Sequence, residues 1–464
     1  MKILLYLKYL PISLLISLSF CIDGDIHDFF LPNGLRVIIM ERHGAPQIGV
    51  NVAYNVGRHD EPKENQGINI IVKNVLANSE TKKYPEGEVT KIRDEYDANY
   101  GDGSDADITW LNTEIHKNAL DFVLDFESDR MKNTIFNNET INIAKENYIS
   151  IYEGKEKNVI QVSAAINELW EGHPYESPSY PSPSQINKLE DNSIESWYKT
   201  YYSPNNAVLT LVGDVKPEEV TKLIYQYFAD IKPQSNIPAD PNLSLNLINL
   251  NSDIIKKEVM FEGVPIYISG SVAVMPFPSS RDEDVLILQH LISILDFSFQ
   301  QKNYLFEMFT KKGCLSLYSK IWLEQNLGFS YMVMNSNLIG KKIEIKKINN
   351  QAFKSFTYIS ENGIKKDLLE SYKKNKLIKE YKNHYSYRQI ANKLAHAELV
   401  LGDYKYYNKN IKALERLSND QIQKIIKKYI INSNFKTLQI DANKKAWNFP
   451  ALTFIMRKLI NASN

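Results

Sequence analysis

QGINIIVKNVLANS (residues 66–79) is the stretch on which the reading of this chain turns. Ile68, Ile71, Val72, Val75 and Leu76 recur at three- and four-residue steps, which predicts an amphipathic helix with one stripe facing a core. Upstream, LPNGLRVIIMERHGAPQIGVNVAYNVGRHDEP (31–62) carries two β-branched runs, 30–40 and 48–55. They lie around the turn formers Asn33-Gly34 and Gly44-Ala45-Pro46 and are expected to form a hairpin-like pair. Downstream, TKKYPEG (81–87) leads into a second helix expected over 86–96 and then DANYGDGSDADITWLNTEI (97–115), a small-residue turn followed by a strand.

The chain has 464 residues, enough for two ordinary domains with full cores. Its 55 basic and 55 acidic residues balance, and the absence of a basic excess argues against a nucleic-acid binder. Two cysteines, Cys21 and Cys314, cannot build a disulfide framework or a cysteine-rich metal site. Lys2 and Lys8 precede an apolar run, 9–20, that is short for a bilayer span, so residues 1–21 read as a cleaved export signal. Cys21 stands where a bacterial lipoprotein carries its acyl group, although Phe20 is large for the position before it. The expected location is therefore the periplasm or cell envelope, with a lipid anchor at Cys21 as the alternative to an ordinary signal. Membrane contact is expected only through that signal or anchor.

The frame around residue 70 closely resembles the N-terminal domain of the insulinase-like metallopeptidases, the family of pitrilysin and the mitochondrial processing peptidase. In that family the enclosed helix bears an inverted zinc motif, H-x-x-E-H, whose glutamate activates the attacking water. Aligned without a gap, the motif positions hold Ile70, Lys73 and Asn74. Isoleucine has no donor atom, and an asparagine amide is a poor zinc ligand beside imidazole. A lysine ammonium ~4 Å from a dication would be repelled by roughly 8 kcal/mol at an effective dielectric of ~20. The family's third ligand is a glutamate on a later helix, with a companion glutamate two turns earlier. Glu153 and Glu146, in AKENYISIYEG, match that pair, so Glu153 is the one metal-site position retained. One expectation follows: Lys73 replaces the zinc charge by pairing with Glu153 across the two helices.

The resemblance also implies a cleft edge at 97–115, where a peptide adds as an extra strand. Gly101, Asp102, Ser104, Asp107 and Thr109 occupy its fixed places, the last two matching and Ser104 nearly so. The acidic cluster Asp97, Asp102, Asp105 and Asp107 misses the spacing of an EF-hand loop and reads as a solvated turn. In the second half, GCLSLYSKIWLEQNLGFSYMV (313–333) resembles the segment whose Arg and Tyr, seven residues apart, stabilise the oxyanion. Tyr331 fits the tyrosine, and Glu324 replaces the arginine. No two of the eight histidines are spaced i, i+4, and there is no P-loop, dinucleotide fingerprint or G-x-S-x-G elbow.

The resemblance implies an α+β fold: two similar domains, each a mixed, mostly antiparallel sheet with packed helices. The first occupies 22–231, a Pro/Asn/Ser-rich linker 232–255, the second domain 256–445 and a tail 446–464. Tyr201–Leu211 and Tyr429–Ile440 echo each other as helix, Tyr, turn, Asn, strand, a weak internal duplication. An asparagine and glutamate at 192 and 195 are expected to cap a helix running to Tyr202. The functional expectation is a non-catalytic exported homologue without a bound cofactor. It would bind a peptide or unfolded polypeptide, or serve as partner to an active insulinase-like subunit. The alternatives are a zinc endopeptidase with displaced ligands around Glu153 and a structural envelope protein.

Overall fold

A computed structural model describes residues 25–78, 80–85, 87–155, 157–239, 254–259, 268–278, 282–310, 316–323, 330–339, 345–382, 386–431 and 436–442. The leader with Cys21, Cys314, Glu324, most of the linker and the tail 446–464 lie outside the described residues.

The first half runs β1 (Ile26–Phe30), β2 (Arg36–Glu41), β3 (Gln47–Tyr54), α1 (Ile68–Asn78), α2 (Glu88–Glu95), β4 (Asn99–Ser104), β5 (Thr109–His116), α3 (Leu120–Asn133), α4 (Asn138–Glu153), α5 (Lys157–Asn167), α6 (Pro183–Lys188), α7 (Asp191–Tyr201), β6 (Ala207–Gly213) and α8 (Pro217–Phe228). Its sheet has the order β1-β2-β6-β3-β5-β4. The hairpin expected from 30–40 and 48–55 is therefore not formed. The wholly buried β6 lies between β2 and β3, parallel to the first and antiparallel to the second. An apolar strand buried on both faces gains most at a sheet's centre, which outweighs the short connection between β2 and β3. The true hairpin is β1–β2, closed where Gly34 takes φ +88°.

The second half contains β7 (Ile254–Val259), β8 (Ile268–Phe277), α9 (Asp284–Gln301), α10 (Tyr304–Thr310), β9 (Ser316–Leu323), β10 (Ser330–Ile339), α11 (Ile345–Asn362), α12 (Lys366–Lys382), α13 (Tyr387–Leu401), α14 (Tyr406–Arg416), α15 (Asn419–Ile425) and β11 (Lys436–Ala442). Its sheet order, β7-β11-β8-β10-β9, repeats β2-β6-β3-β5-β4 strand for strand. The parallel pair recurs as well, β7 with β11 as β2 with β6. This is the α+β plan of two similar, mostly antiparallel sheets, and the echo seen in the sequence falls on β6 and β11.

The two halves exchange helices. On one face of the first sheet, α1, α3, α4, α7 and α8 close a core around Ile71, Val72, Leu111 and Leu209. The other face is covered by α13, from the second half, through Ile390, Ala391, Leu394 and Ala395 against Ile38, Met40, Ala53 and Val208. Reciprocally, α5 of the first half packs on β7 and β11. Gly49 permits the close seat of α13, since a Cβ there would lie 2.2 Å from the Tyr387 carbonyl carbon. Thr210 Oγ1 donates to the Ala391 carbonyl at 2.8 Å. Arg36 joins Asp28 at 2.7 Å and Glu398 at 2.8 Å. The helix at 191–201 begins one residue before the expected cap, so Asn192 lies inside its first turn, and its N-cap, Glu190, makes no side-chain cap bond.

Candidate functional site

The start of α1 is held by buried polar groups rather than by a cap of its own. Glu61 accepts from the backbone N–H groups of Gly67 (2.9 Å) and Asn69 (3.0 Å) and from Ser177 Oγ (3.0 Å). Carboxylate at a helix N-terminus satisfies orphan donors and complements the dipole. Asn69 donates to Thr109 Oγ1 and accepts from Trp197 Nε1 and Tyr202 Oη, all in the interior. Asp107, buried, accepts from Tyr175 Oη at 2.8 Å beside His59. These bonds pin α1 over β4 and β5.

Burial pushes the Glu61 carboxyl up to about 7, against the pull of its three donors. A folded-state value above the unfolded one means that the folded chain holds the extra proton between pH ~4.5 and ~7. Its contribution is full at low pH and is lost as pH rises through that window. Stability is expected to fall by about 1–3 kcal/mol across it, and Glu61→Gln is expected to flatten that slope. Denaturant midpoints measured at half-unit pH steps check this.

The three positions that the resemblance assigns to the zinc motif all lie in α1, which packs against β4 and α4. Ile70 packs at the margin of the first core, and Asn74 is 9% exposed, its backbone carbonyl accepting from Asn78. Lys73 forms an ion pair with Asp102 of the edge strand, the side chains 14% and 26% exposed. The expected pairing of Lys73 with Glu153 is not made. Glu153 is the exposed last residue of α4, whereas Asp102 projects from β4 directly against α1. A carboxylate already under the ammonium wins over one that would have to leave water. Glu146 is likewise exposed.

These residues do not fit zinc. An isoleucine, an amide and an ion-paired ammonium supply no donor set at neutral pH, and the one exposed carboxylate, Glu153, cannot hold zinc alone. Among the described residues, no group of three or more His, Cys, Asp or Glu side chains is placed to hold a metal ion.

The expected cleft residues are only partly gathered. Gly101 and Ser104 both lie on β4, which pairs with β5 alone and forms an edge of the first sheet. Tyr331 belongs to the second sheet, on β10, opposite Trp322 and Pro276. The acidic cluster is divided. Asp102 pairs with Lys73, Asp105 accepts from the N–H groups of Asp107 and Ile108, and Asp107 is buried, so the loop is not simply a solvated turn.

Local sequence reasoning missed a recess of about 200 Å³ behind β4. Gly101 and Asp102, Trp110 and Asn112 of β5, and Arg388 and Asn392 of α13 line it. Arg388 donates from Nη1 to Asn112 Oδ1 at 3.1 Å. A Cβ on Gly101 would lie 2.1 Å from that nitrogen. The absence of side chains at Gly101 and Gly103 was the available signal, but what fills the space comes from residues nearly 300 positions away.

Comparison with known proteins agrees with this geometry. The model of the insulinase peptidases, family M16, matches residues 36–176, and that of the M16 inactive domain matches 188–376. The chain is 25% identical over 223 residues to mitochondrial-processing peptidase subunit alpha-1 of Dictyostelium discoideum, covering 46% of this chain and 33% of the relative. It is 24% identical over 213 residues to the zinc protease PqqE of Helicobacter pylori, covering 44% of this chain and 46% of the relative. These matches thus span less than half the length of either relative. Among solved structures, a Helicobacter pylori protease superposes with a TM-score of 0.77 at 18% identity, over 90% of this chain and all of that one. An M16 inactive-domain protein of Pseudomonas fluorescens gives 0.71 at 14%, over 90% and 98%. The periplasmic protease PqqL of Escherichia coli also gives 0.71, at 15%, over 94% of this chain and 50% of that one.

Proposed function

Because the chain belongs to the insulinase-like peptidase family, M16, we propose that it is an exported member that holds extended polypeptide without cleaving it. The observation that carries this reading is the Lys73–Asp102 ion pair at the family's metal position. By the resemblance, Lys73 stands where the family has the glutamate that activates a zinc-bound water, and a fixed ammonium there supports a non-hydrolytic role. The edge of β4 remains available for strand addition, in which main-chain hydrogen bonds supply affinity and alternate side chains supply selectivity. The leader-like pattern of residues 1–21 and the likeness to a periplasmic protease support export. No helix among the described residues is long and apolar enough to cross a membrane.

Purified mature protein is expected to contain zinc far below one ion per chain and to leave reduced, carboxymethylated casein intact with or without chelator. Near-stoichiometric zinc with chelator-sensitive cleavage overturns the reading in favour of an active peptidase with displaced ligands. The similarity to a processing-peptidase subunit favours a second reading, a partner to a zinc-bearing relative. Affinity purification separates the two: a partner brings down such a homologue, whereas a polypeptide holder binds casein alone.

A further inference from the structure

We infer that the recess behind β4 is a carboxylate pocket that selects an acidic side chain in the polypeptide held along that edge. This rests on the strand-addition reading above. Among the described residues, the Arg388 guanidinium has no carboxylate within ion-pair distance, and its one hydrogen bond is to the neutral amide of Asn112. Its Nε is buried without an acceptor. A partly buried cation without a counter-ion is costly, and unsatisfied buried donors are uncommon in folded proteins. An incoming carboxylate answers both through charge-assisted, fork-like bonds to the guanidinium.

The acidic groups nearby are already engaged. Asp102 is neutralised by Lys73, and Glu114 accepts from the backbone N–H of Arg388 at 2.9 Å, at the first turn of α13. Among the described residues, the cation facing the recess is therefore not ion-paired. Geometry selects the source of the anion. Neighbouring residues on paired strands point to the same face of a sheet, and side chains alternate along a strand. A peptide residue added beside Gly101 points where a Gly101 side chain would, toward Arg388. The missing Cβ lets the Arg388 guanidinium come up to β4 to meet it, and Trp110 walls the recess.

Fluorescence anisotropy with labelled, C-terminally amidated peptides of alternating Val and Thr, carrying Glu, Gln or Lys at the centre, tests this. The Glu peptide is expected to bind the full chain roughly tenfold more tightly than the other two. In Arg388→Gln that preference is expected to shrink to within about twofold, with the Gln peptide unaffected. Arg388→Lys, which keeps the charge but not the fork, is expected to retain part of it. Thermal unfolding identifies any variant that fails to fold. A Gln peptide with a free C-terminus that outcompetes the Glu peptide overturns the side-chain assignment in favour of a terminal carboxylate.

A second measurement separates the pocket from the strand-holding edge. N-acetylglutamate amide, but not N-acetylglutamine amide, is expected to change the fluorescence of Trp110, identified by subtraction of Trp110→Phe, and to have no effect in Arg388→Gln. If the peptides bind alike and this signal is absent, the pocket is overturned while the holding function stands. If no peptide binds but the signal is present, strand addition is overturned, and with it the selection of a polypeptide side chain. Failure of both removes both.

Discussion

Introducing Ile70→His, Lys73→Glu and Asn74→His together is expected to raise the zinc content of the purified chain to one ion per molecule. All three positions lie within α1, at i, i+3 and i+4, so the new imidazoles are one turn apart on a single face. The helix packs against α4, whose last residue is Glu153. Two imidazoles and that carboxylate would supply the donor set of the family. Affinity is expected to rise from undetectable to micromolar or better, about 8 kcal/mol of binding free energy. Lys73→Glu alone should gain no metal, and it should cost stability by setting a second carboxylate against Asp102. Metal analysis after gel filtration, with circular dichroism to verify folding, reads the outcome. A folded triple variant that stays zinc-free would falsify the assignment of Glu153 to the third-ligand position.

Arg130→Met is expected to cause the largest loss of stability among single substitutions in the first half. Arg130 and Glu127 are paired one turn apart on α3, with side chains only 1% and 2% exposed. The guanidinium lies 4.8 Å from the centre of the Phe126 ring and 5.7 Å from that of Tyr100. Burial works against the Arg130 charge, and the adjoining Glu127 carboxylate outweighs it, so the guanidinium is held protonated. Removing the cation leaves a buried carboxylate without a partner, a loss of about 3–5 kcal/mol, and lowers the melting temperature by roughly 10 °C. Replacing both residues, Glu127→Leu with Arg130→Met, should recover most of it, because two apolar groups avoid the desolvation that the pair endures. A double variant no more stable than Arg130→Met alone would show that Arg130 acts through its ring contacts rather than through its charge.

What could be read locally was read correctly where neighbours in sequence are neighbours in space. The stripe of Ile68, Ile71, Val72, Val75 and Leu76 is buried as its period requires, because a helix turns local spacing into a face. The β-branched runs became strands, but their partner was misjudged. Strand order depends on which apolar segment is buried on both faces, and β6 lies some 150 residues beyond β3. The Lys73 partner was misjudged for a related reason. Alignment placed Glu153 in a role inherited from a metal, whereas an ammonium takes the nearest carboxylate, and β4 supplies Asp102.

The periodicity by itself determined the stripe of α1, whereas the α+β class, the duplicated plan and the want of zinc donors at 70, 73 and 74 were what the resemblance to the family implied. Only the tertiary structure decided that α5 and α13 cross between the halves, that Lys73 answers to Asp102, and that Arg388, among the described residues, stands without an ion-pair partner behind Gly101. Those outcomes depend on contacts between segments far apart in the chain. Their electrostatics are set by which groups lose water together, and a linear order of residues does not encode that on its face.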